Sequence, residues 1–168
     1  SLGALESNRA EALLDLNRFT ESEAAFRVAL GAFRGAQNAH AAAIVEGNLG
    51  DLLAREGRVD EALTSFEHAR LLFERGGAMG DVARLYIEEA EALASIGAVS
   101  DAASRYRLSI PQLESASLKR ELARAVASFG RLLAGCGESQ EAAQLLGQAA
   151  DLWRSIGDEA SVAECDLA

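Results

Sequence analysis

Catalysis needs acid–base or nucleophilic groups within reach of one another, so the histidines, cysteines and paired carboxylates come first. His40 falls in a link between two apolar segments and His68 on a different helix, and neither has a second His at the i+4 spacing of a zinc-binding helix. Cys136 and Cys165 form no Cys-x-x-Cys pair and read as small apolar core residues. Glu88 and Glu89 are adjacent, so on a helix they point to different sides and cannot share a proton. The stretch Arg75-Gly-Gly-Ala-Met-Gly80 lacks the Lys-Ser/Thr of a phosphate loop and follows a helix rather than a strand, which makes it a connecting loop. No catalytic residue, metal ligand or cofactor is expected.

Binding is the remaining chemistry, and charge narrows it. Twenty-six acidic residues against sixteen basic ones give a net charge of −10 and a pI near 4.7. Phosphate backbones and anionic lipid would be repelled, so no nucleic-acid or membrane partner is expected, whereas a basic or neutral peptide is compatible. No apolar run approaches the twenty or so residues that cross a bilayer, and nothing resembles a signal peptide, so a cytoplasmic protein is expected. A single Pro argues against an all-β chain. The Ala, Gly, Arg and Leu bias with one Lys suggests a bacterial source.

The elements that would position a binding face come from an internal repeat. Gly57-Arg-Val-Asp-Glu-Ala62, Gly97-Ala-Val-Ser-Asp-Ala102 and Gly137-Glu-Ser-Gln-Glu-Ala142 lie 40 residues apart, and Asn17-Arg-Phe-Thr-Glu-Ser22 keeps the register. The spacing predicts one repeat domain over 1–168: copies at 1–40, 41–80, 81–120 and 121–160, with 161–168 opening a fifth. Each copy implies two helices. Leu13, Leu53, Leu93 and Leu133 end the first, one turn after a small-residue column, Ala10, Gly50, Ala90 and Gly130. Gly inside a helix costs roughly 1 kcal/mol relative to Ala, so its recurrence predicts close helix contact. Asn17, Gly57, Gly97 and Gly137 suit a left-handed stop, and Thr20, Asp60, Ser100 and the weaker Gln140 suit N-caps. The second helix sets Phe26, Phe66, Tyr106 and Leu146, then Phe33, Phe73, Leu113 and Trp153, on one face with Ala and Ser between them. Pro111 predicts a kink or early end near Ser109–Ile110.

Leu49-Gly50-x-x-Leu53, then Ala62-x-x-x-Phe66 and Ala69, resembles the tetratricopeptide repeat (TPR). The period of 40 resembles the longer variant of kinesin light chains and bacterial regulatory proteins. No Pro closes the second helix, and Glu6, Glu46, Tyr86 and Val126 occupy a column that is often aromatic in the family. HEAT-type repeats are the rival fold. The resemblance implies an all-α, right-handed α-solenoid of four helix-turn-helix repeats, eight helices plus the start of a ninth.

In such a stack the first helices line a concave groove. The column Asn8, Asn48, Glu88 and Ser128 faces it, and the resemblance gives an Asn there a role on the backbone of an extended peptide; an inter-repeat hydrogen bond is the alternative. Glu11, Asp51, Glu91 and Arg131, with Arg84 and Arg124, complete the candidate groove, acidic early and basic late. The expectation is a non-catalytic scaffold for a protein or extended peptide. The alternatives are a regulatory segment of a signalling enzyme, transcription regulator or caspase-like protease, and a self-assembly spacer. The chain opens without Met at the start of a repeat and stops inside another, so it is expected to be excised from a larger protein. Its uncapped C-terminal end would then expose Leu145, Leu146 and Trp153, partly covered by Val162, Cys165 and Leu167, to self-association.

Overall fold

A residue with positive φ recurs every twenty positions: Asn17, Gln37, Gly57, Gly77, Gly97, Ser117, Gly137 and Gly157, with φ from 55° to 86°. The left-handed conformation ends a helix and turns the chain. At each turn the next amide bonds back to a large apolar residue. Arg18 N donates to the Leu13 carbonyl and Arg58 N to Leu53, both at 2.9 Å, and Asn38 N to Phe33 and Ala78 N to Phe73, also at 2.9 Å. The residues that fill the core therefore also accept the bonds that close the helices.

The computed structural model describes residues 1–166, and among them it contains nine helices and no strand. They are α1 (Leu2–Asp15), α2 (Phe19–Gly35), α3 (Ala39–Arg55), α4 (Val59–Arg75), α5 (Met79–Ser95), α6 (Val99–Ser115), α7 (Lys119–Gly135), α8 (Ser139–Ser155) and α9 (Glu159–Asp166). Packing divides the chain into two units, Ser1–Glu88 and the part from Glu89 onward. In the first, α1 packs on α2, α2 on α3 and α3 on α4, and α1 also touches α3. In the second, α6 packs on α7, α7 on α8 and α8 on α9.

The small-residue column lies where first and second helices meet. A Cβ on Gly50 would sit 2.5 Å from Cε1 of Phe66, and one on Gly130 would sit 3.0 Å from Cγ of Leu146. Ala10 and Ala90 are fully buried in the same column, and Ser22 Oγ donates to the Ala10 carbonyl at 2.7 Å. Phe26, Phe66, Tyr106 and Leu146 are all buried opposite.

Several local expectations are corrected. The second helices start earlier than Thr20, Asp60, Ser100 and Gln140, which lie inside them; Arg18, Arg58, Ala98 and Glu138 hold the cap positions without side-chain bonds. The cap is in each case the residue right after the left-handed stop, and none of these four side chains bonds a first-turn amide, whereas Asn38 at the same place before α3 accepts from Ala41 N at 3.1 Å. Pro111 does not end α6, which runs through to Ser115. It is exposed, so water can satisfy the carbonyl one turn earlier that its missing N–H leaves unbonded. His40 lies in the first turn of α3 rather than in a link, edge-on to Phe73 at 5.4 Å. Leu146 and Trp153 are each only 8% exposed, because Leu146 lies under Gly130 and α9 packs on α8; Leu167 lies outside the described residues. Large exposed apolar side chains stand instead on α1, at Leu2 and Leu5.

Three glycines give a graded test. Gly50→Ala should cost about 1–3 kcal/mol by overpacking against Phe66. Gly57→Ala, at φ 77° with open space around it, should cost about 1 kcal/mol through backbone strain alone. Gly31→Ala, inside α2 with nothing within 4 Å, should stabilise by about 0.5–1 kcal/mol. Urea denaturation followed by circular dichroism reads all three.

Candidate binding faces of the first helices

In the first unit Asn8 and Glu11 are exposed on α1, and Asn48 and Asp51 are half-buried on α3. Asn48 Nδ2 donates to Glu11 Oε1 at 3.0 Å, and Ser7 Oγ donates to the same oxygen at 3.4 Å. The exposed columns of α1 and α3 therefore abut, and Asn48 makes the inter-repeat bond. Exposed Ile44 stands one turn before Asn48. Asp51 pairs with Arg55 at 2.9 Å, and Arg84 with Asp81 at 2.8 Å, each within its own helix. Glu88, half-buried, closes this set.

In the second unit Arg124 of α7 reaches Glu91 of α5 with two nitrogens on two oxygens, at 3.3 and 3.0 Å. That fork-on-fork geometry fixes both side chains. Arg131 donates to Ser128 Oγ at 3.3 Å. Behind this face Tyr106 of α6 stacks on Phe129, with ring centroids 5.5 Å apart, and is 2% exposed. Burial pushes its phenol up to about 12; the Glu91 carboxylate adds to the rise, while Ser128, Arg124 and Arg131 oppose it. The expected groove residues thus divide. Asn48 joins Glu11 and Glu91 joins Arg124 across helices, whereas Asp51 pairs with Arg55 and Arg131 bonds Ser128 on their own helices.

Three polar features were not anticipated. Glu46 of α3 is 3% exposed and takes a short hydrogen bond from Arg34 of α2, with His68 Nδ1 of α4 at 3.9 Å. Glu89 of α5 is equally buried and pairs with Arg105 of α6 at 2.6 Å. Arg58, between α3 and α4, bridges Glu23 at 2.9 Å, Glu56 at 3.0 Å and Glu61 at 2.7 Å. The Arg27 hydrogen bond, helped by Arg58 and opposed by burial, holds the Glu23 carboxyl below its ordinary range; Arg58 does the same for Glu61. The signal for Glu46 was a column, Glu6, Glu46, Tyr86 and Val126, that mixes carboxylates with apolar and aromatic residues. The cations that meet these acids sit at no fixed repeat offset.

Among the described residues no three His, Cys, Asp or Glu side chains gather as a metal-holding group. Cys165 is buried as expected, but Cys136 is exposed at the end of α7. No helix among the described residues is long and apolar enough to cross a membrane.

The arrangement of helix pairs can now be set beside known proteins. No family model matches the chain, and no curated protein does. Among solved structures it is similar to aspartyl phosphate phosphatase F from Bacillus subtilis, at 13% identity and a TM-score of 0.93 over 98% of this chain. The match spans only 43% of that phosphatase. The TPR-like repeats of a Podosopora anserina kinesin light chain match at 13% identity and a TM-score of 0.75, covering 98% of this chain and 86% of that one. BtubC from P. vanneervenii matches at 18% identity with the same TM-score, over 98% and 78%. The fold is an all-α repeat fold of the TPR type.

The raised phenol of Tyr106 carries a pH prediction. Its folded value lies above the unfolded value of about 10, so the stability linked to it is complete below pH 10 and falls as pH rises toward 12. Thermal midpoints at pH 9 and 11 should drop by less in Tyr106→Phe than in the unsubstituted chain.

Proposed function

We propose that the chain is a non-catalytic scaffold that binds a protein or an extended peptide along the exposed faces of its first helices. The observation that carries this reading is the outward-facing row of Asn8, Glu11, Ile44 and Asn48 on α1 and α3, in which the Asn48–Glu11 bond is an inter-repeat contact and the Asn8 amide is exposed. A row of amides and carboxylates beside exposed Ile44 suits main-chain recognition of a segment with neutral or basic side chains. In the second unit exposed Arg131 offers donors to acidic side chains, while Arg124 is held on Glu91.

Peptides selected by phage display against the purified chain test the proposal. The variant Asn48→Ala with Asp51→Arg should bind them at least tenfold more weakly, about 1.4 kcal/mol, with unchanged helicity. Unchanged affinity by fluorescence anisotropy would contradict the assignment of this face. A second reading, a repeat segment that regulates a catalytic part of a larger polypeptide, is supported by the likeness to 43% of phosphatase F. It predicts that the same variant alters the activity of an attached domain without any separate peptide ligand.

A further inference from the structure

The first unit holds a second surface, away from the columns just described. A cleft of about 490 Å³ opens where the C-terminal turns of α2 and α4 meet the N-terminus of α3. That volume lies within the usual range of ligand sites, about 300–1,000 Å³. Ala42, Leu71 and Leu72 supply apolar lining, and Leu71 is exposed. Arg34, His68 and Arg75 line it too, and no acidic residue does. In a chain of net charge −10 that is a local reversal of sign.

The basic groups are available in different degrees. Arg34 spends one donor on Glu46, which is buried, and its guanidinium stays more than half exposed. His68 also lies near Glu46 and is exposed. Arg75 is exposed and makes no ion pair or side-chain hydrogen bond among the described residues. The first turn of α3 carries no acidic residue, unlike that of α2 or α4, so its partial positive charge adds to the same field.

We propose that this cleft docks an acidic peptide segment, with its carboxylates on Arg34 and Arg75 and an adjacent apolar side chain on Ala42, Leu71 and Leu72. Charge complementarity selects the occupant: the cleft inverts the sign of the chain around it, and a guanidinium fork fits a carboxylate. The apolar lining asks for a hydrophobic side chain next to the acid. This site is independent of the first-helix faces and stands or falls separately from them.

The probe is a fluorescein-labelled octapeptide alternating Leu and Glu with a free C-terminal carboxylate, read by fluorescence anisotropy at physiological salt. It should bind at least tenfold more tightly than the same peptide with Gln for Glu and an amidated end. Arg75→Glu should weaken it at least tenfold and Leu71→Ser at least threefold, with the thermal midpoint unchanged, and Asn48→Ala with Asp51→Arg should leave it unaffected. Equal binding of the two peptides, indifference to Arg75→Glu, or tighter binding of a labelled oligothymidine would overturn the proposal. So would a dimer in sedimentation velocity that Arg75→Glu dissociates, since a second copy would then be the occupant.

Discussion

Each first helix approaches its second through a small side chain, and the rest of the structure depends on that distance. Where Gly50 lies against the Phe66 ring there is no room for a methyl group. The ring in turn is completely buried, which contributes about 1.5–3 kcal/mol of apolar transfer. Where the opposing residue is the smaller Leu146, the glycine faces a looser 3.0 Å approach. The pairing is thus graded by volume, as close-packed interiors require. With the pair closed on this seam, the residues at 4, 8 and 11 of each repeat are left facing outward, which makes them available as a binding surface.

Electrostatics works on top of that packing rather than in place of it. The excess of acid is arranged around arginines, with Arg58 gathering three carboxylates from α2, the α3–α4 turn and α4. Ion pairs near the surface contribute little to stability, so they align neighbouring helices more than they hold the fold. Glu46 and Glu89 are different. A carboxylate 3% exposed is tolerated only with partners, and Arg34 for Glu46 and Arg105 for Glu89 are among them. Arg34–Glu46 joins α2 to α3 across successive repeats, and Arg105–Glu89 joins α5 to α6 within one.

The sequence made the seam legible because packing repeats with the helices. Gly50, Gly130, Phe66 and Leu146 recur at one register, and no other local structure explains a glycine there. The helix stops at Asn17, Gly57, Gly97 and Gly137 were equally plain. Their counterparts at Gln37 and Ser117 were not, because a left-handed Gln or Ser carries no glycine to announce it. The cap positions were misplaced too: Arg18, Arg58, Ala98 and Glu138, each directly after a left-handed stop, cap α2, α4, α6 and α8 although none of these side chains makes a capping bond. The outward columns of the first helices were legible, but their contacts were not. That Asn48 bonds Glu11 while Asp51 turns to Arg55 depends on rotamers, which a repeat pattern does not encode. The cleft lined by Arg34 and Arg75 was hidden altogether, because the C-terminal turn of α4, which meets the α2–α3 turn in space, lies well beyond it in the chain.

A double-mutant cycle between Gly50→Ala and Phe66→Leu tests the seam most directly. If the helix pair is set by the fit of that ring over the glycine, the alanine should be costly beside Phe66 and nearly harmless beside Leu, with a coupling of about 1 kcal/mol or more by urea denaturation. Strictly additive effects would mean that the two positions do not share a contact, and the account of how these helices pair would be wrong.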